Sequence, residues 1–159
     1  DSDDYRTFAN ALYVVLMNLS RMIAKDGEGA TKLLECVVDG APDDHTARTV
    51  AKSVITSTLF KCAMFGKDPN WGRILCAVGY ADADVSPDTV NVTLSSKAGS
   101  VCVCQNGRGT TFDPNAAQEV LVPDEITIHV TLGDGAFHAV AWGCDMTYDY
   151  VKINADYHT

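Results

Sequence analysis

Residues 125–142 read Glu125-Ile126-Thr127-Ile128-His129-Val130-Thr131-Leu132-Gly133-Asp134-Gly135-Ala136-Phe137-His138-Ala139-Val140-Ala141-Trp142. Ile126, Ile128, Val130 and Leu132 fall at every second position, the period of a strand with one buried face. Gly133-Asp134-Gly135 is turn chemistry, and residues 136–142 read as a returning strand. The stretch therefore predicts a β-hairpin, with His129 and His138 as a cross-strand pair. A second hairpin is predicted from residues 89–94, where Val90, Val92 and Leu94 share a face, and residues 101–105.

Helical spacing dominates elsewhere. Phe8, Leu12, Val15, Leu16, Leu19, Met22 and Ile23 predict a long amphipathic helix over about residues 4–25, stopped by Gly27 and Gly29. Residues 31–38 predict a strand with Leu34, Cys36 and Val38 on one face. Gly40-Ala41-Pro42 reads as a turn. Asp43 or Asp44 is placed to cap a helix carrying Ala47, Val50, Ala51, Val54 and Ile55. Residues 59–65 predict a short apolar strand. Asp68 or Asn70 then opens a helix with Trp71, Ile74, Leu75 and Val78. Residues 114–120 form a short helix with proline near its start. Residues 147–155 form a last helix presenting Tyr148, Val151 and Asn154. Helices mixed with β-hairpins and packed in layers define an α+β class, not a parallel βαβ array.

Composition narrows the function classes. The chain has 159 residues, 47% of them hydrophobic, which fits one globular domain and not a disordered chain. Twelve Lys and Arg against 21 Asp and Glu give a net charge of −9, so a basic nucleic-acid surface is not expected. The longest apolar run, residues 9–23, is broken by Asn10, Asn18, Ser20 and Arg21, short of the ~18–20 residues of a membrane span. No membrane partner is expected. The six cysteines sit largely among aliphatic residues and read as reduced thiols of a cytoplasmic protein. Cys102 and Cys104, two apart on a strand, are expected on one face. No second cysteine pair or spaced histidine set completes a zinc site, so neither metal nor cofactor is expected. The chain opens Asp1-Ser2-Asp3-Asp4, without an initiator Met or signal-peptide pattern. It reads as a processed product or a piece of something longer.

Three dense runs can carry chemistry. Gly27-Glu28-Gly29-Ala30-Thr31-Lys32 resembles a phosphate loop but lacks G-x-x-x-x-G-K-[ST], and its order is helix, glycines, strand. What remains is Glu28 between two glycines: a helix stop with an exposed carboxylate, or a carboxylate held to meet a substrate cation. In Asp68-Pro69-Asn70-Trp71-Gly72-Arg73, two capping residues and a proline turn into a helix. Trp71 is a candidate anchor, and Arg73 a candidate bidentate carboxylate binder. The third run is residues 142–159, from Trp142-Gly143-Cys144-Asp145 to Thr159. Tyr148, Tyr150 and Tyr157 give this end apolar area with which to dock, and a docked Thr159 has a fixed carboxylate. No G-x-S-x-G elbow is present.

Taken in order, these runs resemble the ornithine acetyltransferases (glutamate N-acetyltransferases) of arginine biosynthesis, the ArgJ family. The motifs that carry the resemblance are Gly27-Glu28-Gly29-Ala30-Thr31-Lys32-Leu33, Asp68-Pro69-Asn70-Trp71-Gly72-Arg73-Ile74 and Trp142-Gly143-Cys144-Asp145. Tyr148-Asp149-Tyr150-Val151-Lys152-Ile153-Asn154-Ala155 completes the set. The resemblance implies an N-terminal-nucleophile fold like that of the aminopeptidase DmpA. It implies a precursor that cuts itself before a threonine into α and β chains. That threonine moves an acetyl group from N2-acetylornithine to glutamate by ping-pong transfer. By the same resemblance, Glu28, Asn154 and Thr159 are substrate-binding residues. The nucleophile's own run is absent from this sequence, and Asp1 cannot serve as an N-terminal nucleophile. Residues 1–159 are thus expected to be the C-terminal portion of a β chain. Its expected partners are the α chain and the upstream part of the β chain, assembled as a hetero-oligomer such as a heterotetramer. A secondary-metabolism relative, as in clavulanic acid synthesis, a DmpA-like amide hydrolase and a non-catalytic subunit are the rival expectations.

Overall fold

The structure, a computed structural model, describes residues 2–157. Helix α1 (Asp3–Lys25) is capped by Ser2, whose hydroxyl accepts from the Tyr5 amide, and is followed by strand β1 (Leu33–Ala41). Three helices come next: α2 (Asp44–Thr56), α3 (Thr58–Phe65) and α4 (Trp71–Gly79). Strands β2 (Asn91–Ser96), β3 (Gly99–Gln105) and β4 (Arg108–Gly109) follow. Helix α5 (Pro114–Val120), strands β5 (Glu125–Thr131) and β6 (Phe137–Cys144), and helix α6 (Tyr148–Asp156) complete the order.

The strands form one six-stranded mixed sheet in the order β4-β3-β2-β5-β1-β6. β1 runs parallel to β5 and antiparallel to β6. This corrects the hairpin expected over residues 125–142. Both strands exist, but β1 lies between them, so Gly133-Asp134-Gly135 crosses the end of β1 (Gly135 N to Gly40 O, 3.1 Å). His129 accordingly faces Val37 and Thr93, and His138 lies on the edge strand; they are no cross-strand pair. Gly40 and Ala41 stay in β1, which shifts register against β6 between Val38 and Ala41. β2 and β3 form the second expected hairpin. β3 and β4 form another, turned by Asn106 and Gly107 at φ 48° and 69°, the positive-φ pair of a tight hairpin.

One sheet face carries the core. Leu34, Cys36 and Val38 of β1, Ile126, Ile128 and Val130 of β5, and Val92 and Leu94 of β2 are buried there. They pack with Val50 and Val54 of α2, Phe60 and Met64 of α3, and Ile74 of α4. α3 replaces the strand expected over residues 59–65. The run is as long as either element allows, but Ser57 caps Phe60 N, and Phe60, Ala63 and Met64 fall at helical spacing toward the core. Asp43 and Asn70 are the residues that cap α2 and α4.

The six thiols are unbridged. Cys102 and Cys104 do not share a face: Cys104 pairs with Val92 and Cys102 with Thr93, so Val103 is the extra residue of a bulge. Cys104 is buried and Cys102 exposed.

Helix α1 lies on the opposite sheet face, over β1 and β6. Arg21 binds Glu35 (2.7 Å) and Glu125 (3.2 Å), and Lys25 binds Glu125 and Asp124. Trp142, across from Glu35, donates its indole N–H to the same carboxylate at 2.6 Å. By length and composition α1 is also apolar enough to cross a membrane.

Candidate functional site

The first and third sequence runs meet at the start of β1. Asp145, 3% exposed, follows β6 and turns its carboxylate onto the chain entering β1. One oxygen accepts from the amides of Thr31 (2.8 Å) and Lys32 (2.9 Å), the other from the Thr31 hydroxyl (2.5 Å). Two residues on, buried Thr147 caps α6 by accepting from Tyr150 N and donates its own proton to the Gly29 carbonyl at 2.7 Å. Gly29 has φ +66°, and a β-carbon there would sit 2.8 Å from Tyr150 N. Only glycine allows α6 to approach the turn this closely.

That clamp brings Glu28 to Asn154 across 126 residues of sequence. The Asn154 amide donates to Glu28 Oε2 and to the Tyr150 carbonyl, both at 2.9 Å. Both side chains are exposed. Between two acceptors, the amide nitrogen is the end that must point inward, which leaves Oδ1 free to accept. What the pair offers to solvent is a carboxylate and an amide oxygen, all acceptors. Acceptors of this kind are chemically suited to an ammonium group. Of the three residues expected to bind substrate, Glu28 and Asn154 are thus joined, while Thr159 lies outside the described residues.

The Thr-Lys end of the first run is occupied by structure. Lys32 is 6% exposed and donates to the carbonyls of Leu121 (2.8 Å), Val122 (3.2 Å) and Pro123 (3.0 Å), closing the end of α5. Burial lowers its pKa below the ordinary lysine value, with the Asp145 carboxylate opposing the shift.

The second run is scaffold. Asn70 caps Arg73 N at 3.1 Å and donates to Asp68. Trp71 packs partly buried against the core and lies over Gly109. Arg73 donates to the Leu59 carbonyl at 2.8 Å in place of the expected carboxylate. The third run is also held differently from expectation. Tyr148, Tyr150 and Tyr157 stay exposed; α6 has no buried residue and is held by the Thr147 cap, the Glu28 bond and one edge contact, Tyr148 on Phe65 at 5.6 Å. Asp145 and Thr147 were given no role from sequence; the Thr-before-helix cap pattern was the available signal.

Fold and site define an α+β scaffold that presents a carboxylate–amide pair suited to a small cationic ligand. Comparison with known proteins identifies the family. The arginine biosynthesis bifunctional protein ArgJ 1 of Clostridium acetobutylicum is 50% identical over 159 residues, covering all of this chain and 39% of that protein. ArgJ of Caldanaerobacter subterraneus is 51% identical over 98% of this chain, again 39% of its own length. The crystal structure of ArgJ from Bacillus halodurans superposes with a TM-score of 0.91 at 41% identity, covering 98% of this chain and 72% of that one. The ArgJ family profile matches residues 1–159, and the chain belongs to the ArgJ family. It spans about two fifths of the length of the curated relatives it matches.

Proposed function

We propose that residues 1–159 are the C-terminal portion of the β chain of a glutamate N-acetyltransferase, and that they supply its substrate-recognition groups. A threonine outside these residues attacks the acetyl carbonyl of N2-acetylornithine. The C–N bond breaks, the amine leaves with a proton, and the acetyl group stays on the threonine oxygen. The amine of glutamate then attacks this ester, takes the acetyl group, and returns the threonine hydroxyl. The partners are the α chain, the upstream part of the β chain, acetylornithine and glutamate, and the setting is the cytoplasm.

One observation carries the reading: the hydrogen bond from Asn154 to Glu28 at 2.9 Å. It joins two residues that the family resemblance names separately and leaves acceptors facing outward. Acetylornithine keeps one free ammonium, on its side chain. Glu28 and the Asn154 oxygen take that cation, and the family resemblance adds Thr159 as a third substrate-binding residue. Holding the cation fixes the distance from the acetyl group to the nucleophile, which is a positioning contribution to the rate.

The test uses the complete protein carrying this sequence. Incubation with acetylornithine is expected to add one acetyl group to a threonine-initiated chain by intact mass, and glutamate is expected to remove it as acetylglutamate. Release of acetate without transfer supports the hydrolase reading instead. No acetylated chain at all contradicts both and leaves a non-catalytic subunit.

A further inference from the structure

Among the described residues, Lys32 is the one cation that the fold buries, and it lies four residues beyond Glu28. Its ammonium has three N–H donors, and three neutral carbonyls receive them: Leu121 at 2.8 Å, Pro123 at 3.0 Å and Val122 at 3.2 Å. Its main chain is used as fully. The amide donates to Asp145 at 2.9 Å, and the carbonyl accepts from the Asp145 amide at 3.3 Å. The next amide, that of Leu33, donates to the Asp124 carbonyl at 2.8 Å, where the β1–β5 ladder begins. A methionine would fill much the same space without desolvating a charge. What the ammonium adds is direction, because three bonds hold one point of the chain from three sides.

Glu28 needs such a point. Gly27 and Gly29 flank it, and glycine backbone keeps no direction of its own. The turn is closed by the Ala30 amide on the Gly27 carbonyl at 3.0 Å. Asp145, Thr147 and Asn154 also hold it, but all three stand on the one segment that leaves β6, so turn and segment can shift together. The Lys32 ammonium ties the turn to a different piece of chain, the connection from α5 to β5. We infer that Lys32 is a positioning residue for substrate discrimination: its ammonium sets the Glu28 carboxylate where the distal cation of an acyl amino acid is read. It thereby supports the choice of acetylornithine over an acyl amino acid that lacks that cation. The inference rests on the reading of Glu28 and Asn154 as the cation subsite. Lys32 itself touches no substrate; it acts through Glu28, and a misplacement of about 1 Å is enough to cost up to a hundredfold in rate.

The experiment uses the complete protein and compares kcat/KM for N2-acetylornithine with that for N-acetylnorvaline, the same acyl amino acid without the distal amine. The parent enzyme is expected to favour acetylornithine. Lys32→Met is expected to cut that preference at least about tenfold, with kcat/KM for acetylnorvaline within about twofold of the parent. A variant that has merely lost stability loses both substrates alike. Equal falls for the two substrates, or an unchanged preference, overturn the inference. A parent with no preference sinks the cation subsite itself; a parent whose preference survives Lys32→Met sinks only the role of Lys32. Hydrogen exchange on the unsubstituted protein decides the matter if the variant does not fold. The amides of Leu121 and Val122 belong to the residues whose carbonyls hold the ammonium. Coupling is reciprocal, so ornithine bound at Glu28 is expected to slow their exchange at least about fivefold relative to norvaline. Equal exchange at residues 121 and 122 with the two amino acids overturns the inference.

Discussion

Replacing Thr147 by valine removes two hydrogen bonds while keeping nearly the same shape. The hydroxyl caps α6 at Tyr150 N and donates to the half-buried Gly29 carbonyl. Loss of a helix cap costs about 1 kcal/mol, and a carbonyl left without a partner costs about 1–2 kcal/mol more. The sum, roughly 2–3 kcal/mol, shifts the docking of α6 on the Gly27-Glu28-Gly29 turn by about 30- to 150-fold. Asn154 sits beyond that cap, so its bond to Glu28 goes with the docking. Hydrogen exchange of the α6 amides in the complete protein reads this directly: Thr147→Val speeds exchange by that factor, and Thr147→Ser restores most of the protection. If the valine variant exchanges like the parent, Thr147 is not the clamp, and the site's geometry has another origin.

Three further outcomes follow from the same contacts. Gly29→Ala forces a side chain onto φ +66° and brings a β-carbon within 2.8 Å of Tyr150 N; a loss of at least about 1 kcal/mol is expected in denaturant unfolding, and an unchanged midpoint counts against the close approach. Lys32→Met strips a buried donor from the carbonyls of residues 121–123; charged hydrogen bonds net about 1.5–3 kcal/mol, offset by the relief of burying an ammonium, so a loss of about 2 kcal/mol is expected and a variant as stable as the parent refutes the clamp. The Asp43 carboxyl is held below the ordinary carboxylate range, first by the Thr46 backbone N–H. A depressed folded pKa stabilises above the unfolded value and loses that contribution as pH falls through the folded one. Acid unfolding is therefore expected to steepen below about pH 4, and Asp43→Asn, which keeps the cap without the titration, is expected to blunt it; identical acid profiles contradict the role.

What the sequence made legible was local. Asp43 and Asn70, each one of two candidate caps in the sequence, cap their helices, because a cap reads only its own next three residues. Leu34, Cys36 and Val38 lie on the core face, because a period of two needs no knowledge of the neighbour strand. The pairing of β5 with β1 was not legible. Gly133-Asp134-Gly135 gives a hairpin signal, and nothing within residues 125–142 announces that a strand from 90 residues earlier inserts between the two. Likewise the stripe from Phe8 to Ile23 shows that one side of α1 seeks apolar cover, but not that Arg21 and Lys25 bind the sheet and turn the stripe outward. Glu28 was left between two readings by its own run, and a substrate-binding role for Glu28 and Asn154 together came through resemblance alone. Their contact is framed by Thr147 and Asp145, which bind the Gly29 carbonyl and the Thr31 and Lys32 amides, partners that their own local sequence does not announce.

The central claim is that Glu28 and Asn154 act together on the substrate's cation. The direct measurement is a double-mutant cycle, Glu28→Ala, Asn154→Ala and both, on the complete enzyme, reading KM and kcat/KM for acetylornithine. A lost charged hydrogen bond of about 1.5–3 kcal/mol predicts a roughly 10- to 150-fold fall in kcat/KM for Glu28→Ala. The double variant is predicted to be little worse than the Glu28 change alone. Unchanged KM and kcat/KM in Glu28→Ala, or two fully additive effects, contradict the account.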